Sequence, residues 1–297
     1  MLRSLETGMG RELMLDDFAV FIITYARPNA QLTLDSLRKS GYTGRIFLVL
    51  DTTDSTIDQY KRLYSMETVL VFDKTKYAQE TDTGLSSPLL NYAVFARNAV
   101  EDFAHTLNLR YFAVMDDDIT GFRARYISKD SLRSRSIKTF DVILQELIGY
   151  MNNADIACLG LCNASTLIGG LNAIDFNRGR ILVQVFIRNI RYNVSWRLNM
   201  LEDVITSVDC GVRGQVWLKL YLLQFDALPI GGVQSGGNSE TYLTYSWFKQ
   251  TFFPVLVYPA CFIYTDKMFK NCKRGSAPVI KHDRAVPKII SSAYKKG

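Results

Sequence analysis

The 297-residue sequence predicts an α/β fold, with a mixed, mainly parallel sheet flanked by helices and a less regular C-terminal part. Three observations predict it. Nearly continuous apolar runs of strand length recur at Phe18 to Tyr25, Arg45 to Leu50, Thr68 to Phe72 and Arg110 to Met115. Segments of helical character separate them, and strands apolar on both faces belong in a covered parallel sheet. Each run also ends in polar residues, first Thr24 and Arg27, then Asp51, then Asp73, then Asp116. In open α/β sheets ligands bind at the carboxyl ends of the strands.

The elements follow in order. FAVFIITY, from Phe18, is rich in β-branched and aromatic residues and stops at Ala26-Arg27-Pro28-Asn29, a turn signal. Gln31 to Ser40 reads as a helix closed by Gly41. RIFLVL, from Arg45, is the second strand, Thr56 to Ser65 a helix and TVLVF, from Thr68, the third strand. Lys74 to Pro88 is polar and reads as a mobile loop. Leu89 to Leu107 is a helix containing Ala96-Arg97-Asn98-Ala99, and RYFAVM, from Arg110, is the fourth strand. Ser136 to Asn152 reads as a helix, Ile156 to Leu161 as a strand, Gly169-Gly170 as a turn and Arg180 to Ile190 as a long β-like run. Glu202-Asp203 precedes a helical stretch. Gly231-Gly232 and Gly236-Gly237-Asn238 punctuate a loop. Tyr242 to Gln250 reads as a helix, Val255 to Tyr258 as a strand, and the chain from Lys267 onward is basic and rich in turns.

Composition bounds the function. Hydrophobic residues make up 48% of the chain, enough for a sizeable core and too many for wholesale disorder. A net charge of +6 and a pI near 9.0 favour polyanionic partners, though ordinary enzymes share such a balance. The five cysteines are odd in number and include no CxxC pair, which argues against a disulfide framework or a zinc site and for a reducing compartment. The N-terminus has no signal-like apolar stretch, and no apolar run is long enough to span a bilayer, so a cytoplasmic protein is expected.

Asp116-Asp117-Asp118 is the main chemical signal. Three adjacent carboxylates after a buried strand repel one another and are costly to desolvate. A divalent cation removes that cost, and hard oxygen ligands suit Mg²⁺ or Mn²⁺. An isolated acidic triplet is more often a solvated turn; the preceding strand and the upstream α/β pattern are what favour a site. Glu202-Asp203 is the second signal, either a carboxylate base or acidic residues complementing a helix dipole. Of the two histidines, His105 lies inside a helix and His282 sits between Lys281 and Arg284 near the C-terminus.

An α/β N-terminal half, a helix bearing Ala-Arg-Asn and a strand ending in Asp-x-Asp together resemble the GT-A glycosyltransferases, whose sheet is Rossmann-like. NYAVFARN, from Asn91, followed by RYFAVMDDD, from Arg110, resembles more specifically the TET-associated glycosyltransferases, which include phage enzymes and the base J glucosyltransferase of kinetoplastids. The resemblance covers Phe18 to Asp118 well and the Glu-Asp region fairly, and fades beyond Gly211. It implies an N-terminal extension at 1–17, a catalytic domain at 18–265, divided into a nucleotide-sugar half at 18–120 and an acceptor half at 121–265, and a basic segment at 266–297. It implies that Asp118 binds the metal, with Asp116 facing the metal or the ribose. Thr24, Arg27, Asp51, Arg97 and Asp117 would contact the nucleotide sugar. Asp203 would be the catalytic base, with Glu202 beside it, and His282 would complete the metal shell. The donor implied is a UDP-sugar, with glucose as the sugar, and the acceptor is the hydroxymethyl group of 5-hydroxymethylcytosine or 5-hydroxymethyluracil in DNA, inside a bacterial or phage-infected cell.

Two basic stretches are compatible with DNA: Arg123, Arg125, Lys129, Arg133, Arg135 and Lys138, and then Lys267, Lys270, Lys273 and Arg274 with the Lys295-Lys296 tail. A glycan or lipid acceptor is the first alternative. A nucleotidyltransferase is the second, although Thr24-Tyr25-Ala26-Arg27-Pro28 lacks the glycine-rich loop usual there.

Overall fold

The structure is a computed structural model, and it describes residues 17–64, 68–84, 93–167, 170–174, 182–228, 247–265 and 277–287. Within them a nine-stranded mixed sheet forms, flanked by helices as the sequence predicts. Its N-terminal half is β1 (Phe18–Ile23), β2 (Arg45–Asp51), β3 (Val69–Phe72) and β4 (Tyr111–Asp116), and the pairings among these four are parallel. Helices α1 (Leu32–Lys39), α2 (Ile57–Leu63), α3 (Lys74–Glu80) and α4 (Ala93–Thr106) fill the connections. The other half holds the hairpin β5 (Ile119–Ser128) and β6 (Ser131–Ser136), then β7 (Cys158–Asn163), β8 (Val185–Asn189) and β9 (Trp217–Ala227). Helices α5 (Phe140–Asn153) and α6 (Glu202–Val212) lie between these strands in the chain. The spatial order is β3-β2-β1-β4-β8-β7-β9-β5-β6, so β4 sits near the middle of the sheet, against antiparallel β8.

Alternation along β1 shows how the sheet is covered. Phe18, Val20 and Ile22 face one core with Leu37 of α1, Tyr60 of α2 and Phe140, Leu144 and Ile148 of α5. Ala19 and Phe21 face the other, with Tyr77 of α3, Val94, Phe95 and Val100 of α4, and Cys210 of α6. Strands buried on both faces need apolar residues at every position, which is why these runs were legible. The same packing pins α4 and α6 to one face, with their first turns toward the end of the sheet where β4 ends. Gly41 closes α1 at φ +86°, a left-handed conformation open to glycine.

Several local expectations are corrected. The stretch expected to be a loop from Lys74 begins as α3, because the Asp73 side chain caps it, accepting from the Thr75 N–H at 2.9 Å, and Tyr77 packs edge-on against Phe72. Residues 85–92 lie outside the described set. Val255 to Tyr258, expected as a strand, instead ends helix α7 (Trp247–Val257). The buried Phe253 joins Leu198, Met200 and Ile205, and that packing overrides the local β propensity. The β-like run from Arg180 narrows to β8, which starts at Val185 after a left-handed residue at Gln184. Sequence reading assigned no strand to β5, β6 or β9, nor to the small hairpin β10 (Phe262–Thr265) and β11 (Ala277–Ile280). The predicted loop at Gly231 to Asn238 and the basic stretches at 267–274 and 295–296 lie outside the described residues.

Candidate active site

The site forms where β4 turns into β5. Asp116 ends β4, Asp117 and Asp118 make the turn, and α1 braces it from below. Thr33 donates to the Asp116 carbonyl at 2.6 Å and accepts from the Ile119 N–H at 3.0 Å, while Ser36 donates to the Ile119 carbonyl at 2.9 Å. The turn's backbone is thus fixed by side chains of a packed helix, and its three carboxylates point in different directions.

Asp117 points into the protein. Thr24 donates to one of its oxygens and Arg27 to the other, both at 2.7 Å. Burial raises its pKa, while these two partners hold it down. Tyr60 and Gln31 complete the cluster: Gln31 donates to Thr24 Oγ1 at 3.1 Å and to the Arg27 carbonyl at 2.8 Å, and the Tyr60 hydroxyl lies 2.9 Å from Thr24 Oγ1. Gln31 Oε1 and Arg27 Nε are buried and have no hydrogen-bond partner among the described residues. Asp117 therefore positions Arg27 and Thr24.

Asp116 faces Arg97, a buried guanidinium on α4. Arg97 Nη2 lies 3.5 Å from Asp116, and Nη1 lies 2.5 Å from Glu202 at the start of α6. The same guanidinium stands over the rings of Phe186 and Trp196, at 5.0 and 5.2 Å from their centroids. One arginine thus ties the first acidic motif to the second, itself standing 105 residues before Glu202 in the chain. Its neighbour Asn98 clamps the backbone of Trp196, accepting from its N–H and donating to its carbonyl, both at 2.9 Å. That clamp fixes the segment leading to Glu202 and Asp203.

Burial pushes the Asp116 carboxyl up to about 7, with Asp118, Asp117 and Glu202 adding to the rise against the opposing Arg97. Burial, then the neighbouring Glu202, raises Asp203 to about 7 as well. Asp118 is also raised, by burial and then by Asp117, and accepts a hydrogen bond from Gln184 at 3.2 Å. Glu202 is engaged by Arg97, whereas Asp203 accepts only from the Val204 N–H at 2.7 Å among the described residues. Four residues around these groups, Ala26, Gln184, Leu198 and Leu201, hold left-handed backbone angles although none is glycine. Each such residue costs about 1–3 kcal/mol and persists only where its surroundings impose it.

Five carboxylates here meet two guanidinium groups, Arg27 and Arg97, so negative charge remains to be neutralised. Asp116 and Asp118 present the hard oxygens that suit Mg²⁺ or Mn²⁺. Among the described residues no group of three or more His, Cys, Asp or Glu side chains is arranged to hold a metal. Two carboxylates with substrate phosphates would supply the shell, a common arrangement for Mg²⁺. His282 lies elsewhere. It lines a cavity of about 180 Å³ with Ser207, Gly211 and Trp217, beside the C-terminal half of α6.

Asp51 is buried and engaged. It pairs with Lys74 at 2.9 Å and accepts from the Thr53 N–H at 2.8 Å and the Thr53 hydroxyl at 2.5 Å. Lys74 in turn stands 5.3 Å from the Tyr25 ring centroid, linking the ends of β1 and β2. Asp54 supports the same rim by accepting from the Ala26 N–H at 2.7 Å. Sequence reading missed Gln31, Tyr60, Asp54, Lys74 and Gln184. Asp54 had a legible signal as a polar residue just after a strand; the others come together only in the fold.

A mixed α/β sheet whose parallel strand ends gather arginine, threonine and clustered carboxylates has the arrangement in which open α/β sheets bind ligands. The model of the TET-associated glycosyltransferase family matches residues 18–227, and the chain belongs to that family. Comparison with curated sequences gave no match. Among solved structures, the chain is similar to a mannosyltransferase of Pyrobaculum calidifontis in complex with GDP-Man and Mn²⁺, at 11% identity and a TM-score of 0.44 over 72% of this chain and 57% of that one. It is also similar to glucosyl-3-phosphoglycerate synthase of Mycobacterium tuberculosis in complex with Mn²⁺, UDP and phosphoglyceric acid, at 9% identity and a TM-score of 0.45 over 89% and 86%. The chain therefore spans little more than half of the mannosyltransferase. No helix among the described residues is long and apolar enough to cross a membrane.

Proposed function

We propose that the chain is a metal-dependent GT-A type glycosyltransferase that moves glucose from UDP-glucose to the hydroxymethyl group of 5-hydroxymethylcytosine or 5-hydroxymethyluracil in DNA, with inversion. The observation that carries this reading is the bridge from Asp116 through Arg97 to Glu202, which sets a donor-side carboxylate and a base-side carboxylate pair around one buried cation. Family membership supplies the sugar chemistry and points to DNA.

In this reading Arg27 and Thr24, held by Asp117, contact the nucleotide, and the Asp51–Lys74 pair shapes the pocket for the base and ribose. Asp118 and Asp116 hold Mn²⁺ or Mg²⁺, which when bound stabilises negative charge on the diphosphate. Glu202, fixed by Arg97, orients the first turn of α6. Asp203 takes the proton from the acceptor hydroxyl as its oxygen bonds to the anomeric carbon. The bond from that carbon to the diphosphate oxygen breaks on the opposite face, and its electron pair leaves with UDP. A carboxyl raised to about 7 suits this task, since a base is most effective when its pKa lies near the working pH.

The test is mass spectrometry of nucleosides from hydroxymethylated DNA incubated with the protein, Mn²⁺ and a panel of sugar nucleotides. A hexose adduct on the modified pyrimidine, formed from UDP-glucose, is expected. Sugar transfer to a glycan or lipid with none to any modified DNA would overturn the acceptor assignment.

A further inference from the structure

We propose that the β5–β6 ribbon is a DNA-backbone arm that grips phosphates within one helical turn of the reacting base; this rests on the DNA reading above. Among the described residues β6 is the last strand of the sheet and pairs only with β5. The turn joining them is the two-residue loop Lys129-Asp130, both left-handed, as in the tight hairpin turns that follow strand twist. The result is a two-stranded ribbon at the sheet edge.

Its basic residues divide by face. Arg123 pairs with Asp226 at 2.6 Å and Arg125 donates to Gln224, so both are engaged with β9. Arg133 and Arg135 lie on the other face, opposite Tyr126 and Ala124 in the pairing register. Both are exposed, and neither makes an ion pair or a side-chain hydrogen bond among the described residues. Two residues apart on one strand, they present two charges about 7 Å from each other. Exposed Lys129 at the tip and the 45%-exposed Tyr126 extend the same surface. A row of unpaired cations with an aromatic hydroxyl suits a phosphate backbone, whose charge is dense and continuous.

The position is informative. β5 starts at Ile119, directly after Asp118, and runs ten residues to Ser128. Arg135 and Arg133 pair with the sixth and eighth residues of β5, so at about 3.3 Å per residue they stand roughly 20–26 Å along the strand from the carboxylates. A duplex turn is about 34 Å, or about 10 base pairs. A duplex seated at the carboxylates can therefore meet the ribbon within one turn of its target base. The competing role for these arginines is to keep a bare edge strand from pairing with a second copy.

The experiment compares wild type with the double variant Arg133→Ser, Arg135→Ser, using duplexes of about 12 and about 30 base pairs, each with a central 5-hydroxymethylpyrimidine. Wild type should show a KM at least several-fold lower on the long duplex. The variant should lose that advantage, keep its kcat on the short duplex, and bind the long one with a salt slope lower by about two. An unchanged KM and salt slope in an active variant would overturn the arm. Self-association of the variant with unchanged DNA affinity would assign the arginines to edge protection and overturn it too. If wild type transfers sugar to neither duplex, the DNA reading itself fails, and the arm with it.

Discussion

At the residue scale the three aspartates are not equivalent. Asp117 is committed to Arg27 and Thr24, whereas Asp116 and Asp118 retain acceptor capacity toward a ligand. Asp118→Ala is expected to abolish Mn²⁺-dependent binding of UDP-glucose, read by calorimetry with and without the metal; retained metal dependence would remove Asp118 from the site. Arg97 neutralises the buried Glu202 and the partly exposed Asp116, so Arg97→Leu leaves a buried carboxylate unpaired and should lower stability by about 3–5 kcal/mol, measured by urea unfolding. A loss below about 1 kcal/mol would show that the carboxylates find other compensation. The raised Asp203 gives a pH prediction. With Asp203 as the proposed base, its carboxylate form is the one expected to be active, so with a pKa raised to about 7 the transfer rate at saturating donor should fall as pH drops below that value. A rate flat down to pH about 5 would place the base on a group with an ordinary carboxyl pKa.

At the element scale, the site depends on two junctions. One is the β4–β5 corner braced by α1, and the other is the entry to α6, where Leu201 sits left-handed and no side chain caps the helix. Asn98 holds the approach to that second junction through two hydrogen bonds to Trp196. Asn98→Ala should cost about 2 kcal/mol of stability and lower kcat more than it changes KM for the donor, since the displaced group is the base. Equal changes in KM and kcat would point to a purely donor-side role. These junctions mark how far the sequence was legible. Strands β1, β2 and β4 showed because burial on both faces demands uninterrupted apolar residues. Asp116 to Asp118 showed because they stop such a run. β5 and β6 did not show, since Arg123 and Arg125 interrupt the apolar residues of β5 and β6 is mostly Ser and Arg, and α3 was hidden because its two buried residues are Lys74 and a single aromatic, Tyr77. His282 could be flagged by composition alone, but nothing local to it reports that its turn packs beside the far half of α6.

At the scale of the whole molecule, nine strands bring residues from Thr24 to Asp203 to one end of the sheet and leave the basic hairpin on one edge. The net charge of +6 acquires a direction from this, because Arg123 and Arg125 are spent within the fold while Arg133 and Arg135 remain exposed. The central claim is that the molecule separates donor binding, by Asp116 and Asp118, from proton removal, by Asp203. The most direct measurement compares UDP-glucose affinity in Mn²⁺ and sugar transfer to hydroxymethylated DNA in wild type and Asp203→Asn. The expected result is a donor Kd unchanged within about two-fold and a transfer rate lower by about 10²–10⁴-fold. Transfer retained within a few-fold, or donor affinity lost together with transfer, would contradict that separation.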